Sequence, residues 1–203
     1  AAMPGFARVG VGRDDGRQAG EHAAIFFRTA RFALLGQGDF WLSPTPEVPG
    51  KGWDARCCNR LASWARLRDQ DSGRVFYAFS VHFDHEGVVA RRESAQLMLR
   101  QMRAIAGDAP VLLLGDLNAT PESEPVRLLL AGLRDAYRIS EAPPYGPVGT
   151  FNGFKLDAPL LDRIDYILLG PGWRVLRYAA LTDSYQARFP SDHLPVVARL
   201  RLE

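Results

Sequence analysis

The stretch PVLLLGDLNATP, residues 110–121, decides how the rest of the chain is read. Val111, Leu112, Leu113 and Leu114 make an apolar run of the length of a buried strand, and too short for a buried helix. The run ends in Gly115-Asp116-Leu117-Asn118, so a strand suited to a dry core delivers a carboxylate and a carboxamide at its tip. Asp116 and Asn118 stand two apart and share a face under the period-two alternation of an extended chain. Taken alone, Gly-Asp-x-Asn reads as a turn, because Asp and Asn both accept turn backbone readily.

Three further segments repeat this form, an apolar strand with acid or imidazole groups at one end. They are Phe79-Ser80-Val81-His82-Phe83-Asp84-His85, Arg163-Ile164-Asp165-Tyr166 and Ser191-Asp192-His193. Each has a plainer alternative. Asp165 could pair with Arg163 as a surface ion pair of little consequence. His82 could be a satisfied core histidine, and Ser191-Asp192-His193 could close a loop. The last is no Ser-His-Asp relay, since adjacent residues cannot supply that geometry and no nucleophile elbow is present. Four such coincidences in one chain favour a catalytic site built on strand ends of a rigid sheet.

The residue types suit one chemistry. Carboxylates and an amide oxygen without cysteine are hard oxygen ligands for Mg2+ or Mn2+. Histidines beside carboxylates, held upright and partly protonated, can donate to phosphate oxygens. A cation, an oriented carboxylate base and charged donors are the parts needed for water to attack phosphorus.

Composition bounds the alternatives. The chain has 203 residues, a length for one domain, and nearly half of them are apolar, enough for a sizeable core. The net charge is +2, and almost all of the positive charge is arginine. That balance argues against a polybasic coat for nucleic acid or membrane and leaves room for a local basic groove, where arginine is the better grip for a phosphate. Cys57 and Cys58 are neighbours, which rarely satisfy disulfide geometry with one another, and they read as small semi-apolar residues near a loop. No apolar run approaches membrane-spanning length and no signal peptide is visible.

Along the chain, strands are expected at residues 6–12, at 23–28 paired with 31–35, at 61–67 paired with 74–83, and at 111–114, 165–169, 173–180 and 194–200. Residues 36–56 hold four Gly, three Pro and two Trp, and read as a long ordered loop. A helix is expected over 86–106, with Val88, Ala95, Leu99, Met102 and Ile105 on its buried face. A second is expected from Ser123, capped by that serine, to Gly132. The chain reads as a mixed α/β or α+β domain with substantial antiparallel pairing.

The ordered set VHFDH, GDLNATP, GTFNGF, DRIDYILL and SDHLPVVARL resembles the endonuclease/exonuclease/phosphatase (deoxyribonuclease I-like) superfamily from about residue 9 to the end. GVGRDDGRQAGEHAAIFFR together with FWLSPTP is most similar to its bacterial metal-dependent hydrolase branch. The resemblance implies a four-layer α/β sandwich, two mostly antiparallel sheets flanked by helices, with the site at one edge. It implies that Asp116 orients or deprotonates the attacking water and that Asn118 holds water or a phosphate oxygen. Asp192, with Asp116, would hold Mg2+ or Mn2+. His193, oriented by Asp165, would donate to the scissile phosphate, and His82 would be a second phosphate-binding imidazole. Arg60 falls where a phosphate-contacting arginine is often placed, with a strand-end surface arginine as the plain alternative. Trp41 and Trp53 would line the cleft or pack the long loop.

In the superfamily a strand ending in Asn, a helix and a strand ending in Gln-Glu come first, and that glutamate is the principal metal ligand. The residues here match from the loop after them. The expectation is therefore a single domain over 1–203 lacking that strand-helix-strand segment, weak in Mg2+ binding and activity as given. Glu21 and Glu86 end no apolar strand and are poor substitutes for the missing glutamate. The function implied is a divalent-metal-dependent phosphoesterase acting on mono- or diesters, with a non-catalytic binding module keeping the cleft as the alternative. Substrates would be phosphorylated small molecules, lipid head groups or nucleic acids, with no obligate protein partner. The protein is expected to be soluble, and cytoplasmic unless an upstream signal peptide has been removed.

Overall fold

The computed structural model describes residues 3–203. Among the described residues ten strands and three helices follow in chain order. The first half holds β1 (Phe6–Val9), β2 (Ile25–Arg28), β3 (Phe32–Trp41), β4 (Leu61–Asp69) and β5 (Val75–His82), then α1 (Val88–Ala106) and β6 (Val111–Asp116). The second half holds α2 (Glu124–Leu130), β7 (Arg134–Asp135), α3 (Ala136–Ile139), β8 (Asp165–Leu169), β9 (Trp173–Ala180) and β10 (Val196–Leu202).

Six strands form the central sheet in the order β3-β4-β5-β6-β8-β7. Its neighbours are antiparallel except β5 and β6. A parallel pair needs a long crossover, which α1 supplies. β6 lies in the middle of this sheet and is buried on both faces at Val111, Leu112 and Leu113, which is why it reads as an unbroken apolar run rather than an alternating one. Phe79, Val81, Leu113 and Leu168 face Leu97, Met98 and Met102 of α1 and Val126 and Leu129 of α2. The alternate set, Phe76, Ala78, Leu112, Ile167 and Leu169, faces a second core with Val9, Ile25 and Phe27 on one side and Trp173, Val175 and Tyr178 on the other. This second layer consists of two antiparallel pairs, β1-β2 and β10-β9, separate among the described residues. The mixed α/β architecture expected from sequence is thus present, a large sheet between helices and further sheets. Among the described residues no helix is long and apolar enough to cross a membrane.

Several local expectations are corrected. The 29–31 connection does turn tightly, with Arg31 N donating to Arg28 O. The strands it joins nonetheless enter different sheets: β2 pairs with β1, and β3 pairs with β4. Residues 36–41 belong to β3 and not to the loop, where Gly38 makes room for Trp64 of β4. A Cβ at Gly38 would lie 2.7 Å from the Trp64 indole nitrogen. Trp41 is buried and donates through Nε1 to Arg13 O at 2.7 Å, and Trp53 packs against the helix-side core, so both anchor the loop. The buried face of α1 is wider than the expected one: Ala95 and Met102 are buried as expected, with Leu99 and Ile105 partly so. Ala90, Ser94, Leu97, Met98 and Ala106 join them, and only Val88 of the expected set is exposed. Ser123 precedes α2 without capping it, its Oγ lying 3.1 Å from Thr120 Oγ1 instead. The neighbouring Cys57 and Cys58 are joined as a disulfide, their Cα atoms only 3.7 Å apart in the 53–60 loop.

Candidate active site

Strand register builds the site. His82, the last residue of β5, stands opposite Asp116, the last of β6, and Asp116 stands opposite Asp165, the first of β8. Each occupies the alternation that faces the second layer, as Leu112 and Ile167 do further along the same strands. Three adjacent strand tips therefore present imidazole, carboxylate and carboxylate in one row. Gly115 is required beside Asp116: its φ is +141°, and a Cβ there would fall 1.9 Å from Val81 O. The chain then leaves the sheet through a turn in which Asn118 N donates to Asp116 Oδ1 at 2.7 Å, with Asn118 at φ +46°. GDLN is thus both the turn and the site.

His193 comes from the segment between β9 and β10 and closes onto the row. Its Nδ1 lies 2.8 Å from Asp165 Oδ2 and its Nε2 lies 3.9 Å from Asp116 Oδ2. A carboxylate only accepts, so Nδ1 carries the proton and Nε2 is turned to the cleft. The hydrogen bond to Asp165, opposed by burial, holds His193 above the ordinary imidazole range. Burial, with the nearby Asp165 charge, pushes Asp116 up to about 6. His82 goes the other way. Burial first, then the Arg60 charge, lowers it to about 4, so at neutral pH its ring is uncharged, against the expectation that both imidazoles would be partly protonated. Its Nε2 lies 3.3 Å from Asp116 Oδ2.

Asn118 donates through Nδ2 to Phe83 O at 3.0 Å and to Asp116 Oδ2 at 3.2 Å, so its amide nitrogen steadies the carboxylate. Arg60 is buried, just before β4, and its Nη2 donates to His85 Nδ1 at 2.9 Å. It lines a cleft of about 760 Å3 shared by His82, Asp116, Asn118, Asp192 and His193. All the expected site residues therefore meet in one cleft.

Two residues of GTFNGF brace the site, and only the motif, not their roles, was visible in sequence. Thr150 is fully buried, and its Oγ1 accepts from Ile164 N at 3.1 Å and from Asp165 N at 3.2 Å. Its carbonyl accepts from Leu194 N at 2.7 Å. Asn152 N donates to Asp192 O at 2.8 Å, and Asn152 Nδ2 donates to Ser191 O at 3.1 Å. The segment is thereby splinted to both DRID and SDH, the two pieces that must meet in the His193–Asp165 pair. The Phe151 ring packs edge-on to His193, with centroids 5.2 Å apart. Arg163 does not pair with Asp165. It is buried on Asp135, with Nη2–Oδ2 at 2.6 Å, and lies between the rings of Tyr137 and Tyr166.

Asp116, Asp165 and His193 offer ligand atoms within 4.8 Å of one another, a donor set that fits a hard divalent cation. Asp192 lies outside this trio but on the same cleft wall. Glu21 and Glu86 are also outside it. Glu21 is held by Arg13 and stands 3.5 Å from His82 Nδ1.

Fold and site together define a layered α/β hydrolase scaffold with an acid–imidazole cluster on the edge of its central sheet. The chain belongs to the Endonuclease/Exonuclease/phosphatase family, whose model matches residues 16–193. It is similar to a mannosyl-6-phosphatase of Bacteroides thetaiotaomicron, 41% identical at a TM-score of 0.94, with 98% of this chain and 78% of that one covered. An endonuclease/exonuclease/phosphatase from Bacteroides vulgatus is 37% identical at a TM-score of 0.93, with 98% and 77% covered. Nocturnin of Drosophila melanogaster is 38% identical over 88 residues, which are 41% of this chain and 13% of the fly protein. The chain thus spans a small fraction of the length of that curated relative.

Proposed function

We propose that the protein is a divalent-metal-dependent phosphoesterase that hydrolyses phosphomonoesters, with phosphorylated sugars as the favoured substrate class. The observation that carries this reading is the row His82–Asp116–Asp165 with His193 closed onto it. The 41% identity to a mannosyl-6-phosphatase supports the monoester and the sugar.

Asp116, with Asp165 and His193 around it and Asp192 on the same wall, would hold Mg2+ or Mn2+, which supplies charge neutralisation at the phosphoryl oxygens. Asp116 accepts the proton of the attacking water. A carboxylate raised to about 6 is a better base than an ordinary one and is still ionised at neutral pH. His193 donates from Nε2 to a phosphoryl oxygen, its ring fixed by Asp165. His82, uncharged, positions Asp116 through Nε2. Arg60 binds phosphate from the cleft wall.

The test is phosphate release from hexose 6-phosphates, with a bis-aryl phosphodiester in parallel, at varied Mg2+ and Mn2+. Monoester turnover that needs the cation and is lost in Asp116→Asn is expected. Cation-independent release, or full activity in that variant, would overturn the reading.

A further inference from the structure

His82 divides two spaces. Its Nε2 faces Asp116, while its Nδ1 faces Glu21 across 3.5 Å. Beyond it lies a recess of about 190 Å3, walled by Arg13, Glu21, His22 and Arg60. That is room for roughly six waters at ~30 Å3 each.

The wall is rich in unmet hydrogen-bonding demand. Arg13 Nε, His22 Nδ1, and Nε and Nη1 of Arg60 are buried without a hydrogen-bond partner, as is Asp84 Oδ2 behind them. Native interiors rarely leave buried polar atoms unpaired, so a concentration of them around one recess marks a place for a ligand. Arg60 is itself 5% exposed, and its Nη1 stands 3.8 Å from Glu21 Oε2, too far for a hydrogen bond.

Charge balance narrows the ligand. Two guanidiniums face the carboxylates of Glu21, of Asp84 at 3.6 Å from Arg60 Nε, and of Asp14 at 4.0 Å from Arg13 Nε. A simple anion trap would not carry so many carboxylates. What the recess offers is unpartnered guanidinium donors beside the Glu21 carboxylate, and a hydroxyl answers both, accepting from a guanidinium while donating to a carboxylate. Neighbouring hydroxyls on one ring would do so in series.

We propose that this recess is the leaving-group subsite and that it reads adjacent hydroxyls of a polyol esterified to the phosphate. Glu21 accepts from a hydroxyl, while Arg13 and Arg60 donate to the same or the next oxygen. His22 pairs through Nδ1. The proposal rests on the phosphomonoesterase reading and names which part of the substrate is recognised where.

Calorimetric binding tests it with Mg2+ in the Asp116→Asn background, where turnover is lost, using a hexose 6-phosphate and methyl phosphate as probes. In Arg13→Gln the hexose 6-phosphate is expected to bind about tenfold more weakly or worse. Methyl phosphate should stay within about twofold, the range of a substitution away from its contacts. Equal weakening of both probes would mark an anion pocket, and no change in either would mean that the recess does not meet substrate. Both results overturn the proposal, as does a chain that prefers methyl phosphate. Should Arg13→Gln melt early, His22→Gln gives the same comparison from the opposite wall, with the same selective loss expected. Because binding is read without turnover, selective hexose 6-phosphate binding with no phosphate release by the unsubstituted chain would keep the subsite and remove the phosphoesterase reading.

Discussion

Asp165 and His193 lie 28 residues apart in sequence and meet at 2.8 Å, joining a strand of the central sheet to the segment that enters β10. The pair fixes both the tautomer and the direction of the imidazole. Asp165→Asn removes the charge that favours the protonated ring while keeping the shape. The expected result is a fall in kcat of about 10- to 100-fold with KM little changed, read by steady-state phosphate release.

The pH dependence follows from two shifts of opposite use. Asp116 must be ionised to act as base, so activity is lost on the acid side, at or below the value of about 6 that burial gives this carboxylate in the cation-free cleft. His193, raised above its ordinary value by Asp165, must be protonated to donate, so activity is lost as pH rises through that raised value. The kcat/KM profile should be a bell whose acid limb lies below about 6, because a cation beside Asp116 favours the ionised carboxylate, and Asp165→Asn should bring the alkaline limb to lower pH. A flat profile across this range would contradict both roles.

Thr150 offers a test of positioning apart from chemistry. Thr150→Val keeps the shape but removes the oxygen that accepts from Ile164 N and Asp165 N. Two half-buried N–H groups lose their acceptor, a loss of at most about 1–3 kcal/mol each and less where water reaches them. A lower melting temperature and a fall in kcat should appear together, and Thr150→Ser should restore both.

Arg163 and Asp135 form a buried ion pair, with the guanidinium 2% exposed. Arg163→Met strands the Asp135 carboxylate, and a loss of ~3–5 kcal/mol is expected in denaturant unfolding. The double variant Arg163→Met with Asp135→Leu should recover part of it, because no charge then stays buried alone.

Gly115→Ala would push a methyl group into the Val81 carbonyl, at a backbone φ that disfavours any side chain. Loss of the folded state is expected, measured by circular dichroism, whereas Ala at Gly73, where a Cβ meets nothing within 4 Å, should cost little more than its φ of +73° demands.

Much of the site was legible because its residues end strands whose apolar runs are unmistakable: His82 after FYAFSV, Asp116 after VLLLG and Asp165 before YILL. Their mutual register was not, since pairing between β5, β6 and β8 depends on contacts across dozens of residues. Gly38 was read as a loop signal when it answers a tryptophan on the neighbouring strand. Arg163 invited a partner two residues away and found one 28 residues away. Arg13 and Glu21 lie in a stretch that carried the resemblance but gave neither a place on the cleft wall, because nothing local distinguishes a polar loop that folds over a cleft from one that meets only water.

A row of functional groups spaced by sheet register has a further consequence. The interval between His82, Asp116 and Asp165 is one strand spacing each, about 4.8 Å, set by main-chain hydrogen bonds that no side-chain replacement alters. The reacting centre behaves as a ruler with fixed divisions, and drift in sequence cannot stretch or compress it. New substrates must then be won by the loops that overhang the ruler, chiefly 10–24, 42–60 and 142–163. Selection can rewrite those while the chemistry beneath them stays in calibration.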